Sequence, residues 1–446
     1  MRPIPTVGGM NPLNRRQFLG AVAAGAAAVL PARSLIAQVS SPSADRSAPR
    51  KVKVGLIGVG WWGMINARAA FKAGGVEVLG ICDIDSEHLE KSAEEIEKLQ
   101  GRRPKTFKLY AELLETPGME AVIISTPPQW HALPFLAALS KGMHIYLEKP
   151  VSYDVREGRA MVEAAAKRPH QVVQVGFQRR QSAAFKAVKQ FIAEGNLGRV
   201  VQAEAQINAK VGLKDPTHTS PPPSLDWDLW CGPGPLIPYS QQVGHISWRL
   251  EETSGQGHLY DWGIHMIDAA RVVLDLSAPK TVGAAGGLYQ LKGRITTPDT
   301  MTAHLEYDRC PVSWRHRIWG SEEYTPEINI GVTFFGEKGT VWVNDNRWVH
   351  VPSGKGAERV VTDIKTDTGT AHVGEFLDAV RGRGKASCTI ADAHLSTTAV
   401  KLAMIALKVG DRITWNGDKE QIVGNRAASA FLKRDYRAPW KHPYAG

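Results

Sequence analysis

Val52-Lys53-Val54-Gly55-Leu56-Ile57 is an apolar-biased run of strand length, and it predicts a short buried strand. From there short apolar runs alternate with longer mixed segments. Residues 62–73 read as a helix, 76–81 as a strand and 85–99 as a helix with Asp85 as its N-cap. A short helix over 110–115 precedes a strand over 121–126, which stops at Pro127-Pro128. A helix over 130–140, a strand over 142–147, a helix over 154–167 and a strand over 171–176 complete this half. The βαβ rhythm predicts a doubly wound parallel sheet, with its binding crevice at the carboxyl ends of the strands.

The second half changes period. A helix over 185–194 leads to a strand over 199–208 and then to a long loop, 210–239, rich in Pro, Trp and Asp. Alternating segments at 281–289, 301–307, 312–319, 328–335 and 340–343 predict a mostly antiparallel sheet, and 370–381 and 390–409 read as helices. The stretch from Asp411 is polar and irregular. No repeat of 20 to 50 residues interrupts this order.

Gly58, Gly60 and Gly63 follow the first strand as G-x-G-x-x-G and open a helix. Gly58 suits the tight turn, Gly60 the approach of backbone to a pyrophosphate, and Gly63 the packing of helix on strand. The helix start offers free N–H groups and a positive dipole end to phosphates. Asp83 ends the second strand, 20 residues past the last glycine, where a carboxylate accepts hydrogen bonds from an adenosine ribose. That acid repels a 2′-phosphate, and its neighbour Ile84 offers no cation, so the expected cofactor is NAD rather than NADP.

Asn14-Arg15-Arg16-Gln17-Phe18-Leu19-Gly20 and the alanine-rich stretch behind it form a twin-arginine leader over residues 1–37, followed by a Ser/Ala/Pro linker over 38–50. The expected destination is the periplasm or the medium, with the cargo folded and the cofactor bound before export, and with no membrane attachment after leader removal. The net charge is +10; six arginines and one aspartate in residues 1–50 account for +5, leaving +5 for the rest. That mild surplus, without basic runs among aromatics, argues against nucleic-acid binding. Cys82, Cys231, Cys310 and Cys388 form no C-x-x-C pair, and folding in a reducing cytoplasm argues against a disulfide framework.

Two loops at strand ends carry candidate chemistry. One is Ser125-Thr126-Pro127-Pro128-Gln129-Trp130-His131 and the other Glu148-Lys149-Pro150. A lysine there can polarise an oxygen and take part in proton transfer. Gly255 to Asp268 holds Asp261 and His265 at i and i+4, a carboxylate beside an imidazole that would favour the imidazolium. Two other readings of this stretch stand beside the catalytic one: a metal site with His258, and a structural Asp–His hydrogen bond. Trp230, Tyr239 and Trp248, with Arg179, are the candidate substrate contacts, since Trp faces stack on sugars.

These residues together resemble the Gfo/Idh/MocA family, the glucose–fructose oxidoreductase, inositol dehydrogenase and MocA group. The resemblance spans about 51–410 and rests on GVGWWG, CDID, STPPQWH, EKP, GFQRR and GQGHLYDWGIH. It implies a Rossmann doubly wound parallel sheet over 51–176. A C-terminal α/β domain with a large, mostly antiparallel open sheet follows over 177–410, used for substrate and homo-oligomer contacts, with an extension over 411–446. It implies Lys149, Asp261 and His265 as the catalytic group. Gly58, Gly60, Trp62, Gly63 and Asp83, with Thr126, Pro127, His131, Glu148 and Lys149, would hold the dinucleotide, and no metal is implied. Gln256 and Gln178 depart from the usual family residues.

The implied activity is hydride transfer between NAD and a sugar or glycoside hydroxyl. The chain also resembles exported NAD-dependent glycosidases, but their N-acetylgalactosaminidase branch lacks the lysine of EKP. A dinucleotide-binding protein without catalysis is a third reading, against which the intact Lys149, Asp261 and His265 weigh.

Overall fold

A computed structural model describes residues 50–321 and 328–444. The expected leader, and all of the linker except Arg50, lie outside the described residues. Ala48–Gly446 forms one compact unit.

Its first sheet contains β1 (Val52–Ile57), β2 (Val76–Cys82), β3 (Lys105–Phe107), β4 (Ala121–Ile124), β5 (His144–Leu147) and β6 (Val173–Val175). All pairings are parallel, in the order β3-β2-β1-β4-β5-β6. The order reverses between β1 and β4, and the crevice opens there, at the carboxyl ends. Helix α1 (Trp61–Ala73) follows β1. Helix α2 (Ser86–Gln100) follows β2, and its N-cap Asp85 accepts from the Glu87 N–H at 2.9 Å. Close packing of α1 on β1 requires Gly63: a Cβ there would lie 1.9 Å from the Gly58 carbonyl oxygen.

The second sheet adds β7 (Val200–Ile207), β8 (Thr281–Gly287), β9 (Thr300–Glu306), β10 (Pro311–Arg317), β11 (Ile330–Gly336), β12 (Gly339–Val343), β13 (Arg347–Pro352), β14 (Val360–Asp363), β15 (Ile413–Asn416) and β16 (Gln421–Val423). Their order is β14-β13-β12-β11-β7-β10-β9-β8-β15-β16, antiparallel except for β7 with β10. In β9 Met301, Ala303 and Leu305 are buried while Thr302 and His304 face out. The buried face packs against the helices Ile264–Val273 and Ile390–Val409. Ile390–Val409 is long and apolar enough to cross a membrane, yet its apolar window is 72% buried inside the fold.

Two late segments return to the first sheet. Helix Thr368–Val380 lays Val373, Phe376 and Leu377 against Ala67 and Ala70 of α1. Each such side chain, fully buried, contributes up to about 1.5–3 kcal/mol. The stretch after Asp411, unassigned from sequence, adds β15 and β16 and then runs back to the crevice. There Arg434 donates to Asp154 and Glu157, and Arg437 donates to the Gly232 carbonyl and pairs with Asp228.

Candidate active site

The crevice is a cavity of about 680 Å³ lined by both sheets' loops. Gly58, Gly60, Trp62 and Gly63 line one wall, and Asp83, Thr126, Pro127, Glu148 and Lys149 continue it. Helix α1 has no side-chain cap, and its first intrahelical bond runs from the Met64 N–H to the Gly60 carbonyl. The earlier N–H groups therefore remain for an anion. Gly58 has φ +82°, where only glycine is unstrained. A Cβ on Gly60 would meet only the His88 ring, at 3.4 Å, and His88 lines the cavity as Gly60 does, so the missing side chain leaves that space open to a ligand. These features fit a dinucleotide pyrophosphate. Asp83 is fixed by two backbone donors: Val59 N–H on Oδ2 at 2.8 Å and Asp85 N–H on Oδ1 at 3.0 Å.

His131, expected to touch the cofactor, does not line the cavity. It is fully buried between the Pro150 carbonyl (Nδ1, 2.6 Å) and the Thr126 carbonyl (Nε2, 2.9 Å), and burial lowers its pKa to about 4. A neutral ring has one N–H, and with it on Nδ1, at the shorter contact, His131 donates to Pro150 and ties its own loop to the Glu148-Lys149-Pro150 loop. Tyr239 also lies off the cavity, edge-on against Trp227 with centroids 5.0 Å apart. Arg179, Trp230 and Trp248 do line it. Sequence reading missed Trp440, which the tail carries to the rim, perpendicular to Trp130 at 5.7 Å. An isolated Trp in a polar terminal stretch gave no signal of its destination.

Lys149, Asp261 and His265 meet at the other end. Lys149 Nζ donates to Asp261 Oδ1 at 2.7 Å and to the Asp261 carbonyl at 2.6 Å. Arg249 Nε lies 3.1 Å from the other carboxylate oxygen. Burial works against the Asp261 charge, but Lys149 and Arg249 outweigh it and hold the carboxyl at about 2. Two of the three Lys149 ammonium donors are thereby used, and one remains for a substrate oxygen.

The structural Asp261–His265 hydrogen bond, one of the rival readings, is absent among the described residues: Asp261 is held by Lys149 and Arg249, and His265 Nδ1 has no partner. Residues Leu259–Gly263 wind as a π-helix before the α-helix that holds His265. Burial, then Arg179 and Lys149, push the His265 pKa well below its ordinary value. The ring is neutral, the reverse of the imidazolium expected from sequence, and so keeps a lone pair for a proton. His258 packs on His316 at 5.3 Å. Among the described residues the groups that could gather a metal are Asp85, His88 and His245, and Asp154, Glu157 and His442; neither includes His258.

Gln256 takes φ +58°, a conformation that favours glycine. Its amide donates to the Tyr153 carbonyl at 2.7 Å and accepts from Lys401, so it lies behind the cavity rather than in it. Gln178 does line the cavity, with its buried Oε1 unpartnered.

A neutral His265 predicts a specific pH profile. Activity at subsaturating substrate should show no acid limb centred between about pH 6 and 7, where an ordinary histidine titrates. A kcat/KM profile falling through that window as pH drops would contradict this assignment.

Residues 52–177 match the oxidoreductase family with NAD-binding Rossmann fold of the Gfo/Idh/MocA group. Residues 185–342 match a Gfo/Idh/MocA C-terminal domain, and 345–442 an oxidoreductase-family C-terminal alpha/beta domain. An inositol 2-dehydrogenase of Saccharopolyspora erythraea is 32% identical over 151 residues, 34% of this chain and 43% of that protein. An alpha-N-acetylgalactosaminidase of Shewanella oneidensis is 33% identical over 172 residues, 35% of this chain and 38% of that protein. The chain therefore spans less than half the length of these curated relatives. The crystal structure of an aldose-aldose oxidoreductase from Caulobacter crescentus shares the fold, with a TM-score of 0.64 and 17% identity over 82% of this chain and 100% of the other.

Proposed function

We infer that this chain, which belongs to the Gfo/Idh/MocA oxidoreductase family, transfers a hydride between NAD and a hydroxyl-bearing carbon of a sugar or glycoside. The observation that carries the reading is the convergence of Lys149, Asp261 and a neutral His265 on a cleft whose other end is a dinucleotide cradle. Bound NAD+ supplies the hydride acceptor. His265 takes the hydroxyl proton as the carbon gives up its hydride. Lys149, held by Asp261, donates its remaining N–H to the same oxygen and stabilises the charge that develops there. Lys149 already donates twice to Asp261, which supports reading His265 as the base. In the reverse direction the protonated His265 returns the proton. The test is NADH formation by the purified protein against a panel of sugars, inositols and glycosides.

The cofactor reading is NAD over NADP, because Asp83 stands at the end of β2. Asp83→Ser should narrow the difference between the two dissociation constants, measured by fluorescence titration. A preference for NADP in the unaltered protein would overturn it.

A second reading is favoured by the alpha-N-acetylgalactosaminidase relative. The same residues would oxidise a glycoside transiently, expel the aglycone by elimination, add water and re-reduce, with no net NADH. Aglycone release without NADH accumulation is its signature.

We propose further that the protein is exported through the twin-arginine route and pairs with itself through the outer face of its large sheet, where Thr302 and His304 are exposed. Arg15→Lys with Arg16→Lys should leave precursor in the cytoplasm. Unchanged export would remove the leader assignment. Light scattering of the purified protein gives the assembly mass, and a monomer would remove the pairing.

A further inference from the structure

The hydride-transfer reading leaves the substrate open within a broad class, and the charges at the reacting end narrow it. Three cations line that end: Lys149, Arg179 and Arg249. Asp261 is the acid facing them, and it is shared between Lys149 and Arg249. Glu148 also borders the cavity, but its Oε1 accepts from the Asn66 amide at 2.9 Å, and it packs so tightly under Gly176 that a Cβ there would lie 2.8 Å from it. Burial pushes its carboxyl up, toward the neutral form. His265 is neutral and adds no charge. Counting Asp345, which pairs with Arg179 from behind the wall, three largely buried cations face two carboxylates, so the reacting end keeps a cationic surplus, and buried charge is costly without a counter-charge.

The guanidiniums also have donors to spare. Arg179 has its Nε 2.8 Å from Asp345, an acid set behind the cavity wall, and neither of its Nη groups has a hydrogen-bond acceptor among the described residues. Its side chain is 11% exposed and lies against the Trp262 ring, 5.7 Å from the centroid. Arg249 is fixed between Trp248 and Trp61, at 4.5 and 5.7 Å from their centroids. It uses Nε toward Asp261 and Nη1 for the Ile246 carbonyl, while Nη2 has no acceptor among the described residues. Two preorganised guanidiniums with unused N–H groups match a planar carboxylate, which takes two parallel N–H bonds. Neutral hydroxyls would occupy some of these donors but leave the surplus charge in place.

We propose that the substrate is an anionic carbohydrate, a sugar acid whose carboxylate is read by Arg179 and Arg249 while a neighbouring hydroxyl-bearing carbon sits between Lys149 and His265. The proposal rests on the hydride-transfer reading for the site but is tested by binding, so the two fail separately. Calorimetric titration of the NAD+-loaded protein would compare glucuronate with glucose, galacturonate with galactose, and each with glucose 6-phosphate, at low and high salt. The expected result is binding of at least one acid ~10–100-fold tighter than its neutral parent. That preference should shrink as salt rises and collapse in Arg179→Gln. Arg179→Lys, which keeps the charge and loses the fork, should fall between. Arg249→Gln gives an independent second variant. Equal or tighter binding of the neutral sugars would overturn the proposal, as would a preference that survives both glutamine variants. A clear win for glucose 6-phosphate would overturn the carboxylate in favour of a phosphate. Tight binding of an acid without NADH formation would count against hydride transfer and leave the anion site standing.

Discussion

Lys149→Ala is expected to bind NAD nearly as the unaltered protein does and to turn over ~10²–10⁴-fold more slowly. Among the described residues the Lys149 ammonium bonds to no group of the glycine turn. Its partners are the Asp261 carboxylate and carbonyl. Removing it deletes the donor to the reacting oxygen and leaves Asp261 with Arg249 alone. His265→Ala should cost a similar factor, because the only neutral imidazole assigned to the hydroxyl proton is gone. Asp261→Asn should fall between, since an amide still accepts from Lys149 but no longer balances its charge. Steady-state kinetics with parallel NAD titrations separate these effects from misfolding. Chelation should leave activity unchanged and His258→Ala should be mild, because His258 is turned toward His316. Normal turnover in both Lys149→Ala and His265→Ala would remove the mechanism.

The second large effect lies at the other end of the cleft. In Gly63→Ala the new Cβ would sit 1.9 Å from the Gly58 carbonyl oxygen, so helix α1 must move off β1. The N–H cradle moves with it. A displacement near 1 Å is enough to cost ~10²-fold at a preorganised site. Dinucleotide affinity and thermal stability should therefore fall together. Gly60→Ala is the contrasting variant. Its Cβ meets only the His88 ring at 3.4 Å, so the fold should survive while the methyl intrudes where the pyrophosphate approaches. Thermal melts and NAD titrations of both variants check this. Unimpaired NAD binding by Gly60→Ala would refute the cradle.

Periodicity made β1, β2, β4, β5 and β6 legible, because each is a short apolar, largely buried run; β3 is polar and exposed and gave no signal. Asp85 was readable as an N-cap, whereas Asp154, read from sequence as the first residue of its helix, caps it instead. The edge strands β13 to β16 were not legible. They are short: β14 has no buried residue, and Val349, Ile413, Trp415 and Ile422 are too few and too scattered to mark a period. Loop geometry limited the site reading. The two motifs, EKP with Lys149 and GQGHLYDWGIH with Asp261 and His265, named the catalytic candidates, but their pairing followed from tertiary contacts. Arg249, six residues before the second motif, claims one Asp261 oxygen, and burial with Arg179 and Lys149 nearby lowers the His265 pKa. His131 sits in a cofactor-like loop yet turns inward to two carbonyls, a choice no spacing reveals.

The central claim is net hydride transfer to NAD from a carbohydrate alcohol. The direct measurement is a single-turnover reaction of NAD+-loaded protein with sugar acids and glycosides, following NADH absorbance and product by mass spectrometry. The predicted result is one NADH formed per carbonyl product, lost in His265→Ala. Aglycone release with no lasting NADH, or no absorbance change with any member of the panel, would contradict it.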